Sequence, residues 1–275
     1  MAGTLYLVGT PIGNLGDVTD RARETLSRVD LVAAEDTRRT GRLLRALGLS
    51  ARQVSFFEGN EARRTRELLA ALRGGRDVAV VSDAGMPGLS DPGERLVRAA
   101  VDAGIDVRVV PGPSAAIAAL VASGLPAGRF AFEGFLPRRA SERRARLESV
   151  AADPRTLVFY ESPRRVRSLL RDVVATLGDR RVALCRELTK LHEEVVRGRA
   201  SEVLAALGDR DPRGEVVLVV EGAPSASEPS LGAAAAEARE LIAGGMRRRE
   251  AAAIAARRHG VAANAVYRRS IGRRD

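Results

Sequence analysis

The sequence predicts an α/β protein of two domains with mostly parallel sheets, followed by a short basic helical extension. Three observations predict it. Apolar runs of four to seven residues alternate with amphipathic stretches at helical spacing. The alternation pauses at "PGPSAAIAALVASGLP" and then restarts. After "GAPSASEPS" the composition shifts to alanine and arginine with no further strand pattern.

Taken in order, the first five strands are "TLYLV" (4–8), "LVAA" (31–34), "QVSFF" (53–57), "DVAVV" (77–81) and "DVRVV" (106–110). Between them lie "RARETLSRV", "RRTGRLLRAL", "EARRTRELLAALR" and "GERLVRAAVDAG". In "TRELLAALR", Leu68, Leu69 and Leu72 share a helical stripe that leaves Arg66 and Arg73 outside it. These elements make a first domain over 1–112. A second, over 113–222, has strands "RFAFE", "RTLVFY", "RVALCRE" and "EVVLVVE", with helices such as "PRRVRSLLRDVVATLG" between them. Residues 223–230 are small, polar and proline-containing, as in a linker. Residues 231–275 form the helical tail. Its Gly260 caps one helix behind Arg257, Arg258 and His259, and a second starts near Asn264, in the manner of a helix-turn-helix.

Composition narrows the function classes. A single cysteine, Cys185, excludes an internal disulfide, and two histidines give no basis for a protein-built zinc or other metal site. No apolar run is long enough to span a bilayer, and the start lacks the pattern of a signal peptide, so the expectation is a cytoplasmic protein. The net charge of +10 favours a polyanionic partner. The last 45 residues hold ten arginines against four acids, so most of that excess sits in the tail. An aromatic content of 3% argues against a platform that stacks many bases.

Unusual residues collect after the strands, where open α/β sheets bind ligands. They are "GTPIGNLGD" (9–17), "EDTRRTG" (35–41), "SDAGMPGLSDPG" (82–93) and "PGPSAA" (111–116), then "FEGFLPRR", "YESPRR" and "RELTK". The glycines around Pro11 suit a tight turn with close backbone approach, but no P-loop or dinucleotide fingerprint is present. Asp83 offers a carboxylate, Asp91 reads as an N-cap for the following helix, and Ser114 either caps a helix or faces a ligand. Glu35 and Asp36 point opposite ways on extended chain, and pairing with Arg38 or Arg39 is the structural alternative.

In sequence order, "LYLVGTPIGNLGDVTDRA", "AAEDTRRTGRLL", "VSDAGMPGLSDPG", "VVPGPSAAIAAL", "FEGFLPRR", "FYESPRR", "RELTKLHEE" and "GEVVLVVEG" resemble the tetrapyrrole methylase superfamily. Within it they resemble the branch that methylates ribosomal RNA. The resemblance runs from about Thr4 to Glu221. It implies S-adenosylmethionine (SAM) as cofactor, bound between two α/β domains. It implies methylation of the ribose 2′-hydroxyl of a cytidine in the decoding region of 16S rRNA, within the 30S subunit, by a homodimer. The cofactor residues it implies are Gly9, Thr10, Pro11, Gly13 and Asn14; Asp83, Ala84, Gly85 and Met86; Ser114 and Ala115; and Phe135, Leu136 and Tyr160. Met86 stands where a small polar residue is expected. The expected RNA contacts are Arg138, Arg139, Arg164 and Arg165, and in the tail Arg247, Arg248, Arg249, Arg268 and Arg269.

Lys190 is the sole lysine among 45 basic residues. Arginine stays protonated and cannot serve as a base, whereas a lysine can if burial or a neighbouring cation lowers its pKa. Lys190, Glu187 and Glu161 are therefore the candidate catalytic groups. Lys190 reads equally as a compact charge for a phosphate, or as an ion-pair partner of Glu193 or Glu194. Two other functions fit parts of the pattern. A tetrapyrrole methylase explains the loops but not the basic tail, and a non-catalytic RNA-binding assembly factor explains the charge but not the loops.

Overall fold

The computed structural model describes residues 1–208, 212–224 and 231–270. The first five strands are β1 (Leu5–Val8), β2 (Leu31–Ala34), β3 (Gln53–Ser55), β4 (Val78–Val81) and β5 (Val107–Val110). They form one all-parallel sheet in the order β3-β2-β4-β1-β5. Helices α1 (Asp20–Arg28), α2 (Thr37–Ala46), α3 (Glu61–Arg73) and α4 (Glu94–Asp102) join them. Alternate residues of the buried strands feed opposite cores. Leu5, Val78 and Val80 pack with Leu68, Leu72 and Leu96, while Tyr6, Val8 and Val81 pack with Leu26 and Leu44. Neighbouring strands β1 and β4 send their connections in opposite directions along the sheet. This creates a crevice at their carboxyl ends, where ligands bind in such folds.

Helix α5 (Ala115–Ser123) follows β5 but packs on a second sheet, formed by β6 (Phe130–Phe135), β7 (Thr156–Glu161), β8 (Arg181–Arg186), β9 (Glu194–Arg199) and β10 (Val216–Val220). Its order is β6-β7-β10-β8-β9. Ala116, Ala119 and Leu120 of α5 meet Val158, Ala183, Val217 and Val219 on one face. On the other, α6 (Ala140–Ser149), α7 (Val166–Leu177) and α8 (Ala200–Ala206) cover Leu157, Phe159, Leu184 and Leu218. The expectation of mostly parallel strands holds for the first sheet but not here. Only β6–β7 is parallel, and β10 inserts antiparallel between β7 and β8. The missed strand β9 pairs antiparallel with β8 through the short connection that carries Lys190. Sequence did not show β9 because "EVVRGR" is half-exposed at a sheet edge, with too few apolar residues to stand out.

Both sheets belong to one compact unit, residues 1–151 with 155–221. Residues 152–154 and the chain from Gly222 onward form another. Residues 225–230 of the expected linker lie outside the described residues. Among the described residues the tail has three helices rather than two, α9 (Leu231–Ala243), α10 (Arg248–Arg258) and α11 (Ala263–Ser270). Their core is built on Ala234, Ala238, Ala252, Ala255, Ala256 and Val266. Small side chains at the contact let the helix axes come close. His259 is the C-cap of α10, and Gly260 follows it in the left-handed region with φ 62°. Among the described residues no helix is long and apolar enough to cross a membrane.

Candidate active site

The crevice opens into a cavity of about 480 Å³, a size suited to a small organic ligand. Loops after β1, β2, β4 and β5 supply one side, through Ile12, Glu35, Asp83 to Met86 and Ser114. The second sheet supplies Phe135, Tyr160, Glu161, Leu188 and Gly214 to Val217. Phe135 packs on Tyr160 with ring centroids 5.5 Å apart and stays largely exposed, as an apolar wall of an open site can. The Tyr160 hydroxyl accepts the Ala116 N–H at 3.2 Å, which ties the second sheet to the start of α5. Burial pushes this phenol above its usual pKa, so it stays neutral. Ser114 precedes α5 but makes no cap hydrogen bond, and its buried hydroxyl sits by Tyr160 at the cavity. The capping alternative is therefore not realised, and the hydroxyl lines the cavity.

The loop after β1 plays a different part from the one expected. Of residues 9–14, only Ile12 lines this cavity. Thr10 is buried and exchanges backbone hydrogen bonds with Gly85, at 2.9 and 3.1 Å, while its hydroxyl donates to Ser82 O at 3.1 Å. It locks the β1 loop to the β4 loop. A Cβ on Gly9 would lie 2.6 Å from Gly112 Cα and 2.8 Å from Met86 Sδ, so Gly9 permits the β1 and β5 loops to touch. Pro11 lies outside the cavity lining, and Asn14 caps a 3-10 turn by accepting the Gly16 N–H at 2.9 Å. Gly13 carries the Lys190 stem, since a Cβ there would lie 2.4 Å from Lys190 Cγ. Leu136 is also displaced from its expected role: its side chain belongs to the core under the second sheet.

Carboxylates crowd the cavity. Glu35 accepts the Asp83 N–H at 3.0 Å, and burial raises its pKa. Asp83 accepts the Asp36 N–H at 3.1 Å and pairs with Arg39 at 3.1 Å. Asp36 turns away, caps α2 and pairs with Arg38 at 2.8 Å; the Arg38 hydrogen bonds hold it well below the ordinary carboxylate range. So the two adjacent acids do divide their work. Asp91 is not the expected N-cap, because α4 begins one residue after Gly93, and it lines the cavity instead. Glu161 is almost fully buried, accepts the Ser162 N–H at 2.7 Å and pairs with Arg165 at 3.0 Å.

Lys190 sits in a strained turn. Glu187 and Thr189 have φ of 51° and 67°, a region that costs a non-glycine residue about 1–3 kcal/mol. Glu187 holds the turn by accepting from Lys190 Nζ at 2.8 Å and from the Glu215 N–H at 3.0 Å. Lys190 also reaches Glu215 at 3.3 Å. The sequence-based alternatives Glu193 and Glu194 are engaged elsewhere, with the Thr189 N–H and with Arg186. Burial pulls the Lys190 pKa down, but the bonds and charges of Glu187 and Glu215 outweigh it and the net shift is upward. The amine is an ammonium at neutral pH, held between the Glu187 and Glu215 carboxylates. Neither Lys190 nor Glu187 lines the main cavity, although Glu215 and Leu188 beside them do.

A family model for tetrapyrrole (corrin/porphyrin) methylases matches residues 4–204. The chain belongs to the tetrapyrrole methylase family. It is 48% identical to the ribosomal RNA small subunit methyltransferase I of Escherichia coli O157:H7, over 98% of this chain and 95% of that protein. It is 52% identical to the protein of that name from Micromonospora olivasterospora, over 82% of this chain and 72% of the relative. The crystal structure of uroporphyrin-III-C-methyltransferase from Thermus thermophilus matches with a TM-score of 0.55 at 29% identity, covering 80% of this chain and 94% of that one. Diphthine synthase, at 14% identity and a TM-score of 0.61 over 80% of this chain and 89% of that one, shares the fold.

As a tetrapyrrole methylase, the protein carries arginines of two kinds. Arg138 and Arg164 are exposed, and Arg139 is exposed with Glu142 at 3.3 Å. Arg165 is not free for a phosphate: its guanidinium donates to Leu136 O at 2.8 Å and Pro137 O at 3.0 Å besides pairing with Glu161. Arg247, Arg248, Arg249, Arg268 and Arg269 are all exposed on the tail. Cavity residues to which sequence reasoning gave no site role include Glu35, Arg39, Asp91, Leu188 and Gly214 to Val217. "EDTRRTG" and "LSDPG" did mark the first three as strand-end polar residues. Gly214 to Val217 reach the site through the antiparallel insertion of β10, for which the sequence has no local signal.

Proposed function

We propose that this protein is an SAM-dependent methyltransferase acting on the ribose 2′-hydroxyl of a cytidine in the decoding region of small-subunit rRNA. In this reading it works on the 30S subunit, as a homodimer, in the cytoplasm. One observation carries the proposal: near-full-length identity of 48% to a protein named for small-subunit rRNA methylation. The +10 charge, concentrated in the tail, supports a phosphate-rich partner.

The cavity residues fit SAM. Among the described residues five carboxylates line it, those of Glu35, Asp83, Asp91, Glu161 and Glu215, against the single guanidinium of Arg39. Such a lining favours a ligand with a sulfonium and an ammonium. The unsatisfied Ser114 hydroxyl stands at the N-terminal end of α5, where a ligand carboxylate is favoured. Asp83, Ala84, Gly85, Met86, Ser114, Ala115, Phe135 and Tyr160 would hold the cofactor. When bound, SAM supplies a methyl group activated by the positive charge on sulfur.

The chain's own residues supply alignment and exclude water. Tyr160, tied to α5, fixes the position of Ser114 and Ala115. Phe135 and Leu188 give apolar walls on the side of the second sheet. The strained Glu187–Lys190 turn presents an ammonium beside the β1 loop, outside the acidic cavity, where a nucleotide phosphate can be received. The test is transfer of labelled methyl from SAM to unmodified 30S subunits, with the modified nucleotide and atom mapped. Label on a cytidine 2′-oxygen is the expected result. Absence of transfer to 30S subunits and to naked rRNA would refute the proposal, and porphyrin binding would then favour the tetrapyrrole alternative.

A further inference from the structure

The carboxylates around the cavity divide into those with a fixed partner and one without. Asp83 has the Arg39 guanidinium and a backbone N–H. Glu161 has Arg165 and the Ser162 N–H. Glu215 has Lys190, and Glu35, although burial leaves its pKa raised, has its carboxylate fixed by the Asp83 N–H. Asp91 has no ion pair and no backbone donor among the described residues, and the one group that stabilises its charge is the Ser82 hydroxyl. A carboxylate pinned by cations or amides is a poor proton acceptor, because its charge is already stabilised. Asp91 is the cavity carboxylate whose charge nothing else uses.

Its loop is built to hold it there. Ser90 has φ 64° and Gly93 has φ 146°, so the chain turns sharply on both sides of Asp91. The Gly93 N–H is anchored on Glu61 of α3 at 3.0 Å. On the far side the loop is seated against β6: a Cβ on Gly134 would lie 3.1 Å from Ser90 Oγ. A strained, doubly anchored turn that aims a partnerless acid into a cavity is the kind of feature retained for chemistry rather than stability.

We infer that Asp91 is the proton acceptor of the methyl-transfer step. The inference rests on the methyltransferase reading above. The ribose oxygen forms its bond to the methyl carbon as the carbon–sulfur bond breaks, and that bond's electron pair stays on sulfur. The hydroxyl proton passes to the Asp91 carboxylate and from there to water. The groups facing Asp91 are Ser82 of the β4 end, Glu35 of the β2 end, Asp83 with its Arg39, and Tyr160 of the second sheet. Burial, then the Glu35 charge, with Asp83 adding to it, outweigh the Ser82 hydrogen bond and push the Asp91 carboxyl up to about 7. A base with that value is both available and effective at neutral pH.

The experiment combines rate and titration. Single-turnover transfer from SAM to 30S subunits is followed from pH 5.5 to 9 for wild type, Asp91→Asn and Asp91→Glu. The wild-type rate should rise with pH and level off above an inflection near neutrality. Asp91→Asn should lose roughly 100-fold or more and the inflection with it, while Asp91→Glu recovers part of the rate. Calorimetric SAM affinity of Asp91→Asn should stay within about tenfold of wild type, separating proton transfer from binding. Independently, carboxyl ¹³C NMR of the SAM-free protein should show Asp91 titrating near neutral pH. Titration below pH 5, or an Asn variant that keeps the wild-type rate and profile, would overturn the assignment. Failure of the wild type to methylate any ribosomal substrate would instead sink the parent reading, whatever Asp91 titrates at.

Discussion

Replacing Lys190 tests whether the lone lysine is an amine or only a charge. Its ammonium lies 2.8 Å from Glu187 and 3.3 Å from Glu215, and its side chain is 27% exposed. Partly exposed pairs of this kind contribute about 0.2–1 kcal/mol each after screening. Lys190→Met should therefore cost roughly 1–2 kcal/mol in all, including the strained turn it secures. For a unit of this size that is about 3–6 °C in melting temperature. A folded-state pKa raised on a lysine means its contribution is full below the unfolded value and lost as pH rises through the folded one. The destabilisation should accordingly persist from neutral pH up to about pH 10. Glu187 gives the opposite sign. Its pKa is lowered, chiefly by the Lys190 hydrogen bond, so its contribution is present above the unfolded value and lost as acid protonates it. Lys190→Arg keeps the charge and should keep transfer to 30S subunits within about threefold, whereas Lys190→Met should lose about tenfold or more. The assay is single-turnover methyl transfer beside a thermal melt. An arginine variant that folds and binds SAM normally yet transfers no methyl would refute the reasoning, because only a titratable amine could then explain position 190.

Other substitutions separate structural groups from RNA-facing ones. Arg165→Met strands the carbonyls of Leu136 and Pro137 and the buried Glu161 carboxylate. It should cost about 3 kcal/mol in a denaturant melt, the low end for a broken buried pair because Arg165 is partly exposed, with no specific change in the salt slope of rRNA binding. Replacing Arg247, Arg248 and Arg249 together by Gln should leave the melt unchanged, since all three are exposed. It should lower the salt slope of rRNA binding by about two. Gly9→Ala puts a Cβ 2.6 Å from Gly112 Cα, backbone against backbone; it should destabilise by about 1–3 kcal/mol and weaken SAM binding measured by calorimetry. In the tail, hydrogen bonds from Arg258 and then His259 hold the Glu237 pKa low. That contribution is present above the unfolded carboxylate value and lost as pH falls through the folded one, so Glu237→Gln should flatten the acid limb of tail unfolding followed by hydrogen exchange.

What the sequence made legible follows the physics of each signal. The first sheet was legible strand by strand, because a parallel strand buried on both faces is a near-continuous apolar run and "LVAA" and "VAVV" are buried throughout. The loops after its strands were legible as a group for the same reason, since polar and glycine residues stand out at the end of such a run. The second sheet was legible as strands but not as pairings. Nothing local distinguishes "VVLVV" as a parallel neighbour from an antiparallel insert, and only the insert brings Glu215 and Val217 to the cavity.

The limit is sharper at the level of single side chains. A motif shows that polar residues gather at a strand end, but it does not show which of them use their charge on one another. "ESPRR" offered Glu161 and Arg165 as candidates for chemistry and RNA, yet the i, i+4 pair satisfies itself. "RELTK" offered Glu187 and Lys190, and they too are partners. "LSDPG" offered Asp91 as a helix cap, a role that needs only local sequence, and the two turns around it direct the side chain into the cavity instead. In each case the deciding fact is a second residue, near or far in sequence, that does or does not supply a counter-charge. Reactivity at this site is thus what remains after the ion pairs are drawn. The carboxylate most easily dismissed from the sequence is the one the fold leaves without a partner.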